Sequence, residues 1–297
     1  MTACRRPGVT LLELLIVVAV VALLVGLLLA AVQKVRAAAI RLSCQHHLKQ
    51  ITLGLHAHHD AVDRFPSGMR IPRPGEAYPR LGWLTRLLPH LEQNALWEQT
   101  TAAYANNPSQ LFAPPHPGLA TPVKLFACPA DVRSFAVQIT HGNKRVALTN
   151  YLGVSGVNCR TTDGVLFANS RVRIADITDG TSNTLAVGER PPGHDFWYGW
   201  WYAGEGQSET GSGDTVLGVR ELRIVDYFTL QSCPRGPYRF APGRVEDPCM
   251  VLRFWSLDAD GGHFAFADGS VRFLSYSAEE LLPALAAKAG GEVVALP

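Results

Sequence analysis

An acidic side chain lies within a long apolar segment near the start of the chain. Residues 9–32 read VTLLELLIVVAVVALLVGLLLAAV, in which Glu13 is the single ionisable residue. A carboxylate in hydrocarbon costs roughly 3 kcal/mol even on lenient insertion scales, so it needs a compensating partner. Cleavage after Gly8 would create an amino group at Val9, and in an assembly of staggered helices this cation could pair with Glu13 of a neighbouring subunit. We therefore predict an assembly role for Glu13.

The segment GVTLLELLIVV follows a short basic leader, MTACRRPG. It resembles the type III signal of type IV prepilins and type II secretion pseudopilins, in which a glycine precedes the cut and a glutamate occupies the fifth mature position. The resemblance implies cleavage between Gly8 and Val9 by a prepilin peptidase, N-methylation of Val9, and other pilin-like subunits as partners. Val9 stands where phenylalanine is usual. The alternative is an uncleaved signal anchor.

Five cysteines follow the apolar segment, and an exported position would permit disulfides between them. Cys233 and Cys249 lie in one Pro/Gly-rich loop and are the first predicted pair. Cys44 and Cys128 are the second, because each flanks an element expected to pack against the other. This pairing leaves an odd cysteine that the sequence cannot assign. Zinc is the alternative, but no CxxC motif and no close Cys/His pair of metal-ligand spacing is present.

The segment SLDADGGHFAFADGS contains three aspartates, Asp258, Asp260 and Asp268. Carboxylate oxygens are ligands that calcium prefers, and the resemblance to pseudopilins, some of which hold a calcium ion in a C-terminal loop, adds support. The spacing is not that of an EF-hand. Asp-Gly at 268–269 between alternating apolar runs also predicts a hairpin turn. We favour a turn-forming role for these aspartates, and a calcium site is the alternative.

Two other segments contain residues that could do chemistry. ITDGTSNTLAVGE includes Ser182, but no histidine base or G-x-S-x-G motif accompanies it, so we expect these polar side chains to lock a turn. Residues 196–202 read FWYGWWY. We expect them to form a strand with one face in the core, the other face being more core or a stacking platform for sugars or a partner subunit.

One long helix must position the N-terminal residues. We predict a leader at 1–8, a transmembrane helix at 9–32 and an amphipathic continuation at 33–62, since about 20 apolar residues span the bilayer. Val35, Ala38, Leu42, Cys44, Leu48, Ile51 and Leu55 recur mostly at three- and four-residue steps. Arg5 and Arg6 indicate a cytoplasmic N-terminus. Lys34, Arg36 and Arg41 oppose that orientation, because they are basic residues on the opposite side of the apolar segment.

Residues 63–297 are predicted to form an exported, β-rich head. A bent helix around Pro89 is expected first, then strands in LFACPAD, ALTNYLGVSG, DGVLFA, RVRIADI, NTLAVGER, DFWYGWWYAG, MVLRFWS and HFAFADGSVRFLS, and last a helix capped by Ser277. The predicted fold class is α+β: a long N-terminal helix packed on an antiparallel β-sheet, pilin-like, with insertions.

Five ordered segments carry a second resemblance: CQHHLKQITLGLHAHHD, LLPHLEQNALWEQ, LFACPAD, ITDGTSNTLAVGER and GGHFAFADGSVRFL. They look like the prepilin-like bacterial proteins of unknown function that are named for an H-X9-DG motif near the C-terminus. The family histidine would fall at position 258, which is Asp258 in this chain, and a histidine is found instead at His263. The role of that motif in this protein is therefore open.

The expected function is that of a pilin-like (pseudopilin) subunit of a pilus, pseudopilus or type II secretion-like apparatus, in the inner membrane or in an extracellular filament. The alternative is a monomeric, membrane-anchored exported protein whose head binds polysaccharide or calcium. We find no catalytic constellation and expect no enzyme activity and no resident cofactor. Without the leader, the lysines and arginines would equal the 25 acids, so the charge gives no sign of nucleic-acid binding.

Overall fold

The computed structural model describes residues 10–109 and 115–292. By its internal contacts the chain divides into residues 1–42 and residues 43–297. A single α-helix, α1 (Leu11–Val62), begins in the first unit and ends in the second. Its end agrees with the prediction, because the chain turns at Asp63, which has a positive φ of 54°, and reaches Pro66 soon after.

In the first unit, helix α1 is apolar and exposed. The apolar side chains from Leu11 to Val32 are exposed. The predicted amphipathic stripe differs from the observed one at its start, since Val35 and Leu42 are also exposed. Burial begins at Cys44.

The second unit contains the rest of α1 and a mixed α+β head. Its remaining helices are α2 (Trp83–Arg86), α3 (Asn94–Asn106) and α4 (Leu282–Ala286). Its strands are β1 (Gln138–Ile139), β2 (Arg145–Val146), β3 (Tyr151–Gly156), β4 (Leu185–Glu189), β5 (Val216–Gly218), β6 (Gly261–Phe266) and β7 (Val271–Ser275).

Five strands form the central sheet in the order β5-β3-β4-β6-β7, and β1 pairs with β2 separately. Every neighbouring pair of the central sheet is antiparallel except β3 and β5, which are parallel. The predicted α+β arrangement of a long helix and a mostly antiparallel sheet is confirmed.

Both faces of the sheet are covered. One face belongs to a core cluster that includes Leu48, Ile51 and Leu55 of helix α1, so the last turns of this helix are part of the head. The other face packs against Leu282 and Leu285 of α4. Burial on both faces explains why β3 and β4 read as continuous apolar runs rather than as alternating ones.

Five segments predicted as strands are not strands. LFACPAD overlaps a 3-10 helix at Lys124–Phe126, RVRIADI contains one at Ile174–Asp176, and MVLRFWS overlaps one at Pro248–Leu252. The third has a local cause, because the Asp247 side chain accepts a hydrogen bond from the backbone N–H of Cys249 and starts the turn.

The aromatic segment DFWYGWWYAG is also irregular. Phe196 has a positive φ of 58°, which interrupts an extended chain. Trp200, Trp201 and Tyr202 are buried one after another, but the segment pairs with other parts of the chain only through isolated bridges, such as the one between Leu148 and Trp200. DGVLFA likewise lies outside the strands, although half of its residues are buried.

The last helical segment begins earlier than predicted. A 3-10 helix spans Tyr276–Leu281 and leads into α4. Its cap is Ser275, whose hydroxyl accepts a 3.4 Å hydrogen bond from the backbone N–H of Ser277. The predicted cap, Ser277, is therefore the donor of this bond and lies inside the helix.

Candidate functional site

The first turn of helix α1 is closed by a capping box. The Glu13 carboxylate accepts hydrogen bonds from the backbone N–H and the hydroxyl of Thr10, both at 2.8 Å. The hydroxyl of Thr10 in turn accepts a 3.3 Å bond from the N–H of Glu13. Two helix N–H groups are thus satisfied reciprocally. The T-x-x-E spacing of this box is visible in the sequence, where Glu13 was interpreted only as a charge in an apolar segment.

The capping box fixes the carboxylate at the positive end of the helix dipole. Glu13 is exposed within the single chain, so another group can reach it from outside. Gly8 and Val9, the two residues predicted to flank the cleavage site, lie outside the described residues. Among the described residues, α1 is the one helix that is long and apolar enough to cross a membrane, and the apolar part is unburied.

The comparisons with known families match two parts of the chain. Residues 4–29 match the prokaryotic N-terminal methylation motif. Residues 33–281 match the family described as "Protein of unknown function (DUF1559)". The chain belongs to the DUF1559 family. No curated protein and no solved structure shows a significant match to it.

For this DUF1559 protein, the methylation motif confirms the resemblance to prepilins. It supports a type IV pilin-like protein that prepilin peptidase processes. Together with the single exposed apolar helix, the motif indicates a membrane-anchored protein with an exported head.

Both predicted disulfides are present in the DUF1559 head. Cys44 and Cys128 are bonded across 84 residues and join helix α1 to the segment after the 3-10 helix at Lys124–Phe126. Cys233 and Cys249 are bonded across 16 residues. Cys159 is the free cysteine of the described chain, and burial raises the pKa of its thiol. This is the odd cysteine that the sequence left unassigned.

A carboxylate lies beside the first disulfide. One carboxylate oxygen of Glu189 and the two sulfurs of Cys44 and Cys128 lie within 4.8 Å of one another, the one such cluster of three metal-ligand atoms among the described residues. Because the sulfurs are bonded to each other, they are not thiolates, and metal ligation requires the thiolate form.

The three aspartates of the C-terminal motif do not converge. Asp258 and Asp260 precede strand β6, and Asp268 follows it. Six residues of strand separate these positions by about 20 Å, whereas calcium ligands lie within about 2.6 Å of the ion. Asp258, Asp260 and Asp268 therefore do not ligate one calcium ion together, and the predicted set of ligands is wrong. Calcium binding by other groups of the protein stays an untested prediction.

Each aspartate takes part in local turn structure instead. The Asp258 carboxylate accepts a 3.0 Å hydrogen bond from the N–H of Asp260. The Asp268 carboxylate accepts a 2.8 Å bond from the N–H of Ser270, at the hairpin turn between β6 and β7. Gly269 has a positive φ of 83°, the conformation that an Asp-Gly hairpin turn requires.

The histidine of this motif has a buried partner. His263 lies on β6 and Glu189 lies on the neighbouring strand β4. One Glu189 oxygen accepts a 2.8 Å bond from the His263 backbone N–H, and the other lies 3.2 Å from the ring nitrogen Nδ1. Both side chains are almost fully buried. Nothing in their sequence spacing, 74 positions apart, could have indicated this pair.

The polar cluster around Ser182 holds the C-terminal segment. The carboxylate of Asp179 accepts hydrogen bonds from the N–H groups of Gly290 and Gly291, at 2.6 and 3.0 Å. Thr181–Asn183 forms one turn of 3-10 helix directly before β4. These contacts agree with the expected structural role of the segment.

Proposed function

We propose that this protein is a pilin-like subunit that assembles through its N-terminal helix into a pilus, a pseudopilus or a type II secretion-like apparatus. Prepilin peptidase would cut between Gly8 and Val9, and Val9 would then be methylated. The helix would cross the inner membrane once, with its N-terminus in the cytoplasm and its head exported.

The observation that carries this proposal is the position of Glu13. Its carboxylate lies in the first turn of an exposed apolar helix, four residues after the proposed new N-terminus. Four residues of helix rise about 6 Å, so a neighbouring helix shifted by about one turn would bring its Val9 ammonium to the level of Glu13. Pairing would neutralise both charges where neither is well solvated.

Assembly of this kind needs no catalytic centre in the head. We therefore propose that the protein acts without turning over a substrate and without a resident cofactor. The polar cluster around Ser182 supports this proposal, since its groups are engaged with the backbone.

Two variants separate the charge of Glu13 from its capping role. Glu13→Gln keeps a side chain that can close the capping box but removes the charge, and Thr10→Ala weakens the cap and keeps the charge. Two differently tagged full-length copies would be co-expressed and co-purified from membranes. We expect association to fail in Glu13→Gln and to persist in Thr10→Ala.

Mass spectrometry of the mature N-terminus tests the processing step separately. The expected species begins at methylated Val9. A chain that still begins at Met1 in the cell would contradict processing. Copies that never associate, with or without Glu13, would instead favour the monomeric anchored binding protein.

A further inference from the structure

The head contains an open cavity of about 440 Å³ whose lining is rich in arginine. This volume lies within the range of about 300–1,000 Å³ that is typical of small-molecule sites. The lining comes from two stretches of the second unit, residues 70–76 and residues 169–171. Its charged side chains are Arg70, Arg73, Glu76 and Arg171. Three guanidinium groups and one carboxylate leave the lining with a net charge of +2.

Backbone contacts hold the two stretches together. Met69 forms a parallel bridge with Ala168, and its carbonyl accepts a 2.8 Å hydrogen bond from the N–H of Asn169. The side-chain oxygen of Asn169 accepts a 3.2 Å bond from the N–H of Ile71. Because these bonds fix the second stretch beside the first, Arg171 lines the same cavity as the arginines that follow helix α1.

A tight turn positions the charged residues of the first stretch. Residues 73–76 read RPGE, and the N–H of Glu76 donates a 3.0 Å bond to the carbonyl of Arg73. Pro74 and Gly75 occupy the two central positions, and Gly75 has a φ of 81°, as in a type II turn. The turn therefore places Arg73 and Glu76 at its two ends, on one lining.

The acid of this lining is already engaged. One Glu76 oxygen lies 3.2 Å from the Nε of Arg70, and the other accepts a 3.3 Å bond from the N–H of Tyr78. The side chains of Arg73 and Arg171 are exposed and have no ion pair and no hydrogen bond within the described part of the chain. Each of these guanidinium groups can donate several hydrogen bonds and accept none.

The amide of Asn169 adds a further donor to the lining. Its Oδ1 accepts the bond from the N–H of Ile71, so the amide cannot be turned around and Nδ2 is the free end. Nδ2 has no partner in the described ranges and is not closed off from solvent. Every side chain of the lining that lacks a partner is therefore a hydrogen-bond donor.

Another arginine adds positive charge close to the lining. Burial, together with the charge of Arg70, lowers the pKa of Arg86 to about 10, so Arg86 is still protonated at neutral pH. Its guanidinium lies 6.0 Å from the ring centroid of Tyr78. No ion pair with an acid offsets its charge among the residues that the structure describes.

We infer that this cavity binds a doubly charged oxyanion, held by the guanidinium groups of Arg73 and Arg171 and by the amide of Asn169. Guanidinium groups match the oxygens of phosphate, sulfate and carboxylate through paired N–H···O bonds. The net positive charge would repel a cation. A neutral ligand would displace water from the guanidinium groups without supplying charge. The cavity is larger than a bare inorganic anion, so it has room for the molecule that carries the anionic group.

This site is separate from the proposed assembly function. It lies in the head and involves neither Glu13 nor the apolar part of α1, and the test below needs no subunit association. Oxyanion binding could therefore fail while assembly holds, and the reverse is also possible.

Isothermal titration calorimetry of the full-length chain tests the site. The protein would be held in a nonionic detergent and a chloride buffer, because anionic amphipols and phosphate buffers would compete. The probes are inorganic phosphate, sulfate and succinate, and added sodium chloride at matched ionic strength is the control for screening. We expect saturable binding of at least one dianion and none of chloride. Binding of phosphate and sulfate alone would assign a tetrahedral group, and binding of succinate alone would assign a dicarboxylate.

Matched arginine variants report on the lining. Arg73→Gln and Arg171→Gln each remove one charge from an exposed, unpaired side chain. Arg235→Gln removes a charge at an exposed position that does not line the cavity. We expect affinity for the dianion to fall about tenfold in each of the first two variants and by less than about twofold in the third.

A variant of the acid should act in the opposite direction. Glu76→Gln removes the negative charge of the lining and keeps an oxygen that can accept from the N–H of Tyr78. We expect affinity for the dianion to rise by about threefold or more, because the lining becomes more positive.

Three results would overturn the inference. The first is no saturable binding of any dianion at about 10 mM, a concentration that would nearly fill a site with a Kd of about 1 mM. The second is equal binding of chloride at the same ionic strength, which would show screening of surface charge alone. The third is dianion binding that Arg73→Gln and Arg171→Gln leave unchanged, or that Arg235→Gln weakens equally. Because these three arginines are exposed, we expect all three variants to fold.

Discussion

The Nζ of Lys49 donates a 2.7 Å hydrogen bond to the backbone carbonyl of Gly269. This bond joins helix α1 to the turn of the β6–β7 hairpin, 220 positions later in the chain. The hydroxyl of Thr52 reaches the same carbonyl at 3.5 Å. The Asp-Gly turn of the C-terminal motif therefore has a structural partner, the part of α1 that belongs to the head.

Removal of the Lys49 ammonium should weaken this contact. Lys49→Met keeps most of the aliphatic chain and removes the donor, and we expect a loss of about 1 kcal/mol in the free energy of unfolding because the residue is exposed. Urea unfolding followed by circular dichroism measures the loss. Lys124→Met, another exposed lysine, should change stability by less than about 0.5 kcal/mol. Equal effects in the two variants would contradict the role of Lys49.

The two disulfides should differ in their contribution to stability. Cross-linking a longer loop removes more entropy from the unfolded chain, so the Cys44–Cys128 bond should contribute about 4–5 kcal/mol and the Cys233–Cys249 bond about 3 kcal/mol. The measurement compares unfolding of the two double Cys→Ser variants under the same oxidising conditions. Cys159→Ser, which removes no disulfide, is the control. A larger loss of unfolding free energy on removal of the Cys233–Cys249 bond, which closes the shorter loop, would contradict the loop-length argument.

The buried pair of Glu189 and His263 should behave as one unit. His263→Leu would leave a Glu189 carboxylate oxygen buried near the Cys44–Cys128 disulfide without its ring partner, and we expect a loss of about 3 kcal/mol. Glu189→Gln keeps an oxygen that can accept from the His263 N–H and should cost less. A double-mutant cycle measures the coupling. Strictly additive losses would show that the two side chains do not interact.

Asp214 should make stability depend on pH. Burial raises its pKa to about 7, while neighbouring N–H groups and Arg190 act in the opposite direction. In the unfolded chain the carboxyl ionises near pH 4, so between about pH 4 and 7 the folded state binds more protons. The contribution of Asp214 to stability is therefore fully present at low pH and is lost as the pH rises towards 7.

The comparison of Asp214→Asn with the unaltered chain isolates this effect. The difference in unfolding free energy between the two proteins should change by a few kcal/mol from pH 4 to pH 7, in the direction of relative stabilisation of the variant. Denaturant unfolding at half-unit pH steps provides the curve. If the difference in unfolding free energy stayed constant across this range, the Asp214 carboxyl would have the same pKa in the folded and unfolded states.

The aromatic segment and the N-terminal apolar segment also differ in how much could be predicted from the sequence. The tryptophans at 197 and 200 were expected on a strand, where alternate positions face opposite ways. They lie instead on an irregular segment beside a cavity whose lining also includes Asp214, 14 positions after Trp200. Only the choice between core and stacking platform was available from the sequence, and the structure buries Trp200 and leaves Trp197 partly buried.

The sequence by itself determined the features with a local physical cause. The length of the apolar segment and its helical period fixed helix α1 to within two residues of its observed ends among the described positions, and the Asp-Gly pair fixed the β6–β7 hairpin. The Cys233–Cys249 pair followed from loop closure, and the T-x-x-E capping box was equally readable.

Only the tertiary structure decided the contacts between residues far apart in the chain. Lys49 with Gly269 and Glu189 with His263 have no shared periodicity, because packing of the sheet and loops brings them together. Local sequence patterns determine the conformation of a segment, whereas long-range packing determines which segments are in contact.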